Sequence, residues 1–209
     1  MGYQYKVDIA GVEYEMADLA SVNLEAPLFD KLSVGNTCSA ELDITFWPKS
    51  DIPKMARIVP YIMQDDGTWL QLGEFYTDTR AKVGDRLNIV AYDGMMKGEV
   101  EWVPRSDLEF PEDGLPMTDA VTEIAGLMKV EVDSRTSINP AYTIDYPANE
   151  YTYRDVLGYI AAAHAGNWIM TREGKLLLVP LFGGMPPETN YLITQDGEAV
   201  TFGGVRILE

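Results

Sequence analysis

The sequence predicts an α+β protein that is mainly β, with a small antiparallel β-barrel or sandwich followed by an α+β unit of two helices and a hairpin. Three observations carry this. Alternating apolar and polar residues recur through the first hundred positions, with Gly-containing turns between them. Two stretches after residue 116 switch to the helical period. Between the two textures lies an acidic, Pro-containing segment with no sustained period. The boundaries that follow are a barrel-like domain at 1–97, a linker at 98–116, an α+β domain at 117–182, and a loop with the start of a returning strand at 183–209.

Tyr3, Tyr5, Val7 and Ile9 alternate with polar neighbours, and Ala10-Gly11 supplies a turn. The clearest strand is 38–46, where Cys38, Ala40, Leu42, Ile44 and Phe46 share one face and Ser39, Glu41, Asp43 and Thr45 the other. A helix could not sort nine residues in this way. Pro48 and Pro53 stop the pairing. Further strands are expected at 58–63, 69–78 and 86–92, separated by Asp65-Asp66-Gly67 and Val83-Gly84-Asp85 as hairpin turns.

In the second unit Thr118 is placed to cap a first helix, with Asp119 in its first turn and Val121, Ile124, Ala125 and Met128 as its apolar stripe. Thr152 begins a second, with Asp155 as a capping-box partner and Val156, Leu157, Ile160 and Ala163 as the buried face. Gly166 reads as its stop. Short strands are expected at 131–133 and 142–146, and a hairpin at 167–171 and 175–179 around Arg172-Glu173-Gly174. A strand sets off again at 200–207.

With 33 acidic and 16 basic residues the net charge is −17, and the bases are scattered along the chain, so nucleic acid and anionic membrane surfaces are poor partners. No apolar run reaches the roughly 18 residues of a membrane span, and the polar start does not read as a signal peptide. One Cys and one His leave no disulfide and no Cys-rich zinc site. His164 lies in the last turn of the second helix, where a cation suits the helix dipole. Cys38 lies on an apolar strand face and reads as a small hydrophobe.

Asp65-Asp66 is turn chemistry beside Gly67, and Gly183-Gly184 and Gly203-Gly204 lack the residues of a phosphate loop. Trp69, Tyr76, Trp102, Tyr151, Tyr153, Tyr159 and Trp168 could line a glycan or peptide groove, although such residues are more often packing anchors. No catalytic, cofactor-binding or metal-ligating residues emerge, and no cofactor is implied.

Several segments carry a family resemblance: Val34-Gly35-Asn36-Thr37-Cys38-Ser39-Ala40-Glu41-Leu42, Leu72-Gly73-Glu74-Phe75-Tyr76, and Leu87-Asn88-Ile89-Val90-Ala91-Tyr92-Asp93-Gly94-Met95-Met96-Lys97. So do Thr152-Tyr153-Arg154-Asp155-Val156-Leu157-Gly158-Tyr159-Ile160-Ala161, Gly166-Asn167-Trp168 and Gly174-Lys175-Leu176-Leu177-Leu178-Val179. In order and spacing, over about residues 30–180, they resemble the tail-tip and baseplate-hub proteins of tailed bacteriophages and prophages.

The resemblance implies a non-enzymatic virion tail component, made in the bacterial host cytoplasm. It would assemble as a homo-oligomer, with a trimer favoured, into a ring that continues the tail tube beside other tail proteins. Family members generally return to a second barrel after the α+β unit, whereas this chain reaches Leu208-Glu209 as a strand begins. The expectation is therefore a piece of a longer protein, with the last two residues added in cloning. A carbohydrate-binding module of a tail tip is the alternative, and a cell-wall-degrading enzyme stands behind it.

Overall fold

A computed structural model of the chain describes residues 4–28, 33–102, 114–145 and 150–181, together with the backbone of 201–202 and 205–206. The first unit is one antiparallel sheet. Its strands are β1 (Tyr5–Ile9), β2 (Val12–Glu15), β3 (Leu19–Glu25), β4 (Glu41–Phe46), β5 (Arg57–Met63), β6 (Trp69–Gln71), β7 (Phe75–Val83) and β8 (Arg86–Asp93). They lie in the order β2-β1-β5-β7-β8-β4-β3, with β6 pairing on β5.

The expected alternation is realised on β4, where Leu42, Ile44 and Phe46 are fully buried while Glu41, Asp43 and Thr45 are partly exposed. Ala10 and Gly11 take φ of 53° and 83°, the left-handed pair that joins a tight hairpin. The run expected at 69–78 is split at 72–74, because β6 pairs with Tyr61–Met63 while β7 pairs with Arg57 and Ile58.

The expected barrel or sandwich takes a different form. There is a single sheet, not two, and among the described residues β2 and β3 do not pair, so hydrogen bonds do not close it. The sheet curls instead. Val7, Ile9, Leu42, Ile44, Ile58, Phe75 and Ile89, drawn from strands across the whole order, bury in one cluster. Register shifts at Leu19/Ser21 and Thr77/Thr79 add local twist.

A three-residue 3-10 turn, Met16–Asp18, fills the gap between the sheet ends. Trp47 N donates to Asp18 O at 3.0 Å, and Lys49 N donates to the Tyr14 hydroxyl at 3.0 Å. The Tyr14 ring packs edge-on against Phe46 with centroids 4.9 Å apart, bringing β2 against β4 near the opposite end of the order.

The second unit starts with a 3-10 turn at Gly94–Gly98 and continues with β9 (Leu115–Pro116), α1 (Met117–Met128), β10 (Thr143–Ile144), α2 (Tyr153–Ala163), β11 (Gly166–Met170) and β12 (Leu176–Pro180). Its core joins Val121, Ile124, Val156, Leu157, Ile160, Trp168 and Leu176 to Met95 and Trp102. Trp102 falls inside the stretch expected as a linker, yet it is fully buried, while 103–113 lie outside the described residues.

The capping box of α2 forms as expected, with Thr152 and Asp155 exchanging hydrogen bonds. Other local expectations shift. Thr118 does not cap α1: the helix starts two residues earlier than that cap would set it, at Met117 after Pro116, because β9 runs straight into it and Tyr142 O accepts the Met117 N–H at 2.9 Å. On α2, Ala161 rather than Ala163 completes the buried face. Gly166 does not end α2. Ala165 takes the left-handed turn with φ of 48°, and Gly166 opens β11, where a Cβ would sit 2.8 Å from Val179 O.

At 131–133 there is only an isolated bridge, Val132 to Leu176, and β10 is two residues long. The segment expected to be one strand at 200–207 contains two, β13 (Thr201–Phe202) and β14 (Val205–Arg206), paired antiparallel. The loop expected at 183–199 lies outside the described residues.

Candidate assembly surface

The segments that carry the family resemblance converge on the joint between the two units. Gly35 N donates to Gly166 O at 2.9 Å, Asn36 N to Asn167 Oδ1 at 2.9 Å, and Trp168 N to Asn36 O at 2.8 Å. Arg154 Nε donates to Thr37 O at 2.8 Å, and its guanidinium pairs with Glu99. Gly158 lies so close to the same segment that a Cβ there would meet Gly35 O at 2.9 Å.

Asp93 closes the joint from the sheet side. Its carboxylate accepts from Ser39 Oγ at 2.8 Å, Ala40 N at 2.8 Å and Met95 N at 3.0 Å. Burial pushes this carboxyl above the ordinary Asp value, outweighing the hydrogen bonds and the Arg154 charge that favour ionisation.

A second contact lies beside it. Gln71 Nε2 donates to Arg172 O at 2.6 Å, and Arg57 Nη2 reaches Glu74 Oε2 at 2.7 Å. The Tyr76 hydroxyl donates to the same Glu74, while Lys97 Nζ stands 3.8 Å from the Tyr76 ring centroid. Burial alone raises the Glu74 carboxyl, but Arg57 and Tyr76 outweigh it and hold the group below its ordinary value. Burial and the Glu74 hydrogen bond push the Tyr76 phenol up. Arg57, Glu74 and Tyr76 satisfy one another, and Lys97 and Arg172 tie this cluster to the second unit.

The residues weighed for chemistry have structural placements. His164 caps α2, but as a neutral ring: a backbone N–H can only donate, so Asn139 N donates to Nε2 at 2.9 Å, and Nδ1–H donates to Ile160 O at 2.8 Å. The imidazole ties the 139–142 turn to α2, and the cation expected there is not what these contacts hold. Cys38 is buried, but in the segment that leads into β4 rather than on the strand itself, which starts at Glu41 and not at 38 as expected. Asp66 accepts from Thr68 N at 2.9 Å and Thr68 Oγ1 at 2.6 Å, the turn contact expected beside Gly67. Gly183-Gly184 and Gly203-Gly204 lie outside the described residues.

The seven aromatics do not line one groove. Trp102 and Trp168 are fully buried, and Tyr153 packs on the second core. Tyr76 belongs to the joint, Trp69 is exposed on β6, and Tyr151 and Tyr159 form an exposed edge-on pair with centroids 5.3 Å apart. Among the described residues no group of three or more His, Cys, Asp or Glu could hold a metal ion, and no helix is long and apolar enough to cross a membrane.

Two open grooves flank the sheet. One, of about 710 Å³, lies between 48–52 and the β7–β8 hairpin, lined by Lys49, Arg80, Lys82 and Arg86 together with Asp51 and Asp85. Bases scattered in the sequence thus meet at one place, which spacing along the chain could not reveal. The other, of about 520 Å³, is lined by Tyr5, Lys6, Glu13, Glu15, Met16 and Trp69. Among the described residues, free strand edges remain on β2, on β3 and on β7 past Thr77, whose N–H donates to Ala56 O at 3.0 Å.

No family model matches the chain, and no curated protein matches it. Among solved structures, the 43 kDa tail protein of prophage MuSo2 from Shewanella oneidensis matches over 92% of this chain, at 11% identity and a TM-score of 0.63. A tail protein from Neisseria meningitidis MC58 matches over 90%, at 17% identity and a TM-score of 0.59. The chain spans 59% and 53% of the lengths of those two proteins. At such identities the likeness is one of fold: nearly the whole of this chain, curled sheet and α+β unit together, shares the fold of parts of two tail proteins, one of them from a prophage.

Proposed function

We propose that the chain is a structural part of a phage or prophage tail, a hub or baseplate element acting by self-association and by contact with other tail proteins. The observation that carries this is the likeness of fold over 92% and 90% of the chain to two proteins described as tail proteins. The geometry supports it. The joint fixes one unit against the other, and the sheet keeps free edges suited to contact with neighbouring copies.

A trimer or ring continuing the tail tube is the favoured assembly, because cyclic closure leaves no free end to propagate. The net charge of −17 suits a tube wall that a nucleic acid passes without sticking. The role is non-enzymatic, and its place is the virion tail after synthesis in the bacterial host cytoplasm.

Light scattering after size exclusion, over a wide protein concentration range, tests the reading. A defined oligomer growing in with concentration supports it, with negative-stain images of any large species showing whether it is a ring. A strict monomer at the highest concentrations overturns self-association.

A further inference from the structure

The second half of β7 keeps an open edge. Its first half is covered: Tyr76 pairs with Arg57, and Thr77 N donates to Ala56 O at 3.0 Å. Past Ala56 the neighbouring segment makes no backbone hydrogen bond to β7, and at Ile52 the Arg80 guanidinium bridges back by donating to the carbonyl. The β7–β8 hairpin closes through Gly84-Asp85, with Val83 paired to Arg86. In a two-residue hairpin the closing pair exchanges both its hydrogen bonds, and the pattern alternates from there. Ala81 and Thr79 therefore bond to β8, while the N–H and C=O of Arg80 and Lys82 point away from it. Among the described residues no backbone group meets them. On the other flank, β4 pairs with β8 as far as Leu87, so the opening is on the β7 side.

The groove of about 710 Å³ lies beside that edge, between the hairpin and 48–52. Lys49 Nζ is held by Asp18 Oδ2 at 2.6 Å, and Arg86 Nε stands 3.9 Å from Asp85 Oδ1. Arg80, Lys82 and Asp51 make no ion pair among the described residues. Two cations against one acid leave the groove positive on a chain whose net charge is −17. Arg80 and Lys82 share one face of β7, about 7 Å apart at the usual strand rise. Carboxylates at alternate positions of an extended strand have the same spacing. The same edge of another copy is repelled, because like charges placed opposite each other destabilise a sheet. Open backbone and charge thus select one occupant.

We infer that the edge of β7 at 79–83 receives an extended acidic segment of a partner protein as an added strand. The backbone groups of Arg80 and Lys82 bond to the segment's main chain, which supplies affinity. Their side chains pair with carboxylates at alternate positions, which supplies specificity. Arg80 keeps its Ile52 contact through Nη1 and turns its remaining N–H groups to the carboxylate. This inference rests on the reading that the chain acts by contact with other tail proteins, and it names one surface and the chemistry of the partner.

The test uses the chain with a fluorescent peptide of alternating Glu and Thr, read by anisotropy and by amide exchange in NMR. The acidic peptide is expected to bind at least tenfold more tightly than its Lys/Thr counterpart, and to weaken as salt rises. Lys82→Glu should cost about tenfold in affinity while Lys82→Arg keeps it. A peptide N-methylated at alternate residues, unable to donate to the edge, should also lose about tenfold. Exchange at the Arg80 and Lys82 amides should slow when peptide is bound. Urea midpoints check that every variant folds.

No binding at about 1 mM peptide overturns the inference. So does equal binding of the N-methylated peptide, or unchanged exchange at Arg80 and Lys82, since either removes the added strand. Duplex DNA that binds more tightly than the peptide, and is released by Lys82→Glu, overturns it and assigns the groove to phosphate. A chain that self-associates yet binds no acidic peptide loses this inference alone, whereas one that does neither loses the functional reading as well.

Discussion

Two helical glycines give the sharpest check on the joint, because the same substitution should act with opposite signs. Gly126 lies on the exposed side of α1, with nothing within 4 Å of a Cβ built there. Gly126→Ala removes the entropy cost of helical glycine and is expected to stabilise by about 0.5–1 kcal/mol. Gly158→Ala collects the same gain but places its Cβ 2.9 Å from Gly35 O.

Ordinary carbon–oxygen contacts start near 3.3 Å, so about 0.4 Å must be found. Gly35 cannot easily yield, because its own N–H is bonded to Gly166 O and the next residue's to Asn167 Oδ1. Overpacking of this kind costs about 1–3 kcal/mol, which outweighs the propensity gain. The net expectation is a loss of about 1–2 kcal/mol, and a gap of about 2 kcal/mol between the two variants. Urea unfolding measures it, with unchanged slopes confirming that only stability moved. If Gly158→Ala stabilises as much as Gly126→Ala, α2 is not packed on the Gly35 carbonyl and the joint as described is wrong.

Other outcomes follow from the same contacts. Trp168→Phe should cost about 1 kcal/mol more than Trp102→Phe, since Trp168 Nε1 donates to Leu157 O at 2.7 Å while Trp102 Nε1 reaches Glu123 only at 3.4 Å; equal losses would remove the hydrogen bond from the account. Two carboxyls should titrate apart in carbon-detected NMR. The Arg135 guanidinium and backbone N–H hold Asp133 at about 2, so its contribution to stability is present above the ordinary Asp value of 3.8 and lost as pH falls through about 2. Asp93, raised by burial, contributes in the opposite sense: its share is full below the ordinary value and declines as pH rises through its folded-state pKa. Arg135→Ala should return Asp133 towards the ordinary value, and a shift of Asp93 alone would contradict the assignment. Cys38, 6% exposed, should resist a thiol reagent in the folded chain and react on unfolding; rapid native labelling would contradict its burial.

What the sequence made legible was local. The alternation of β4, the Gly67 and Gly84 turns, the β11–β12 hairpin and the Thr152–Asp155 box each need only neighbouring residues to declare themselves. β2 and β3 were missed because a four-residue strand such as Val12–Glu15 holds too little pattern to stand out, and because its place depends on Tyr14 reaching Phe46. The joint was invisible as chemistry: Asn36 and Asn167 are 131 residues apart, and nothing in either neighbourhood marks them as partners. Only the family resemblance touched those residues, through the segments around Asn36, Asp93, Arg154 and Trp168. Thr118 and His164 failed for a related reason, since Tyr142 O and Asn139 N come from a turn that helix-capping rules do not see. The basic groove joins Lys49 to Arg80, Lys82 and Arg86 only once the hairpin is folded beside residues 48–52.

The division of labour within the fold gives these tests their independence. Asn36, Gly158, Trp168 and Asp93 fix how the two units meet, and their substitution acts on stability through buried contacts. Lys82, Val83, Glu15 and Met16 lie on exposed parts of the sheet, where single substitutions ordinarily change stability by less than about 0.5 kcal/mol. A variant of the first set that remains folded should therefore self-associate like the wild type. A variant of the second set should unfold like the wild type, so any change it makes in self-association is read without a change in fold. Coupling between the two sets would mean that assembly bends the joint, and the rigid contact between Gly35, Gly158 and Gly166 is the structural reason to expect none.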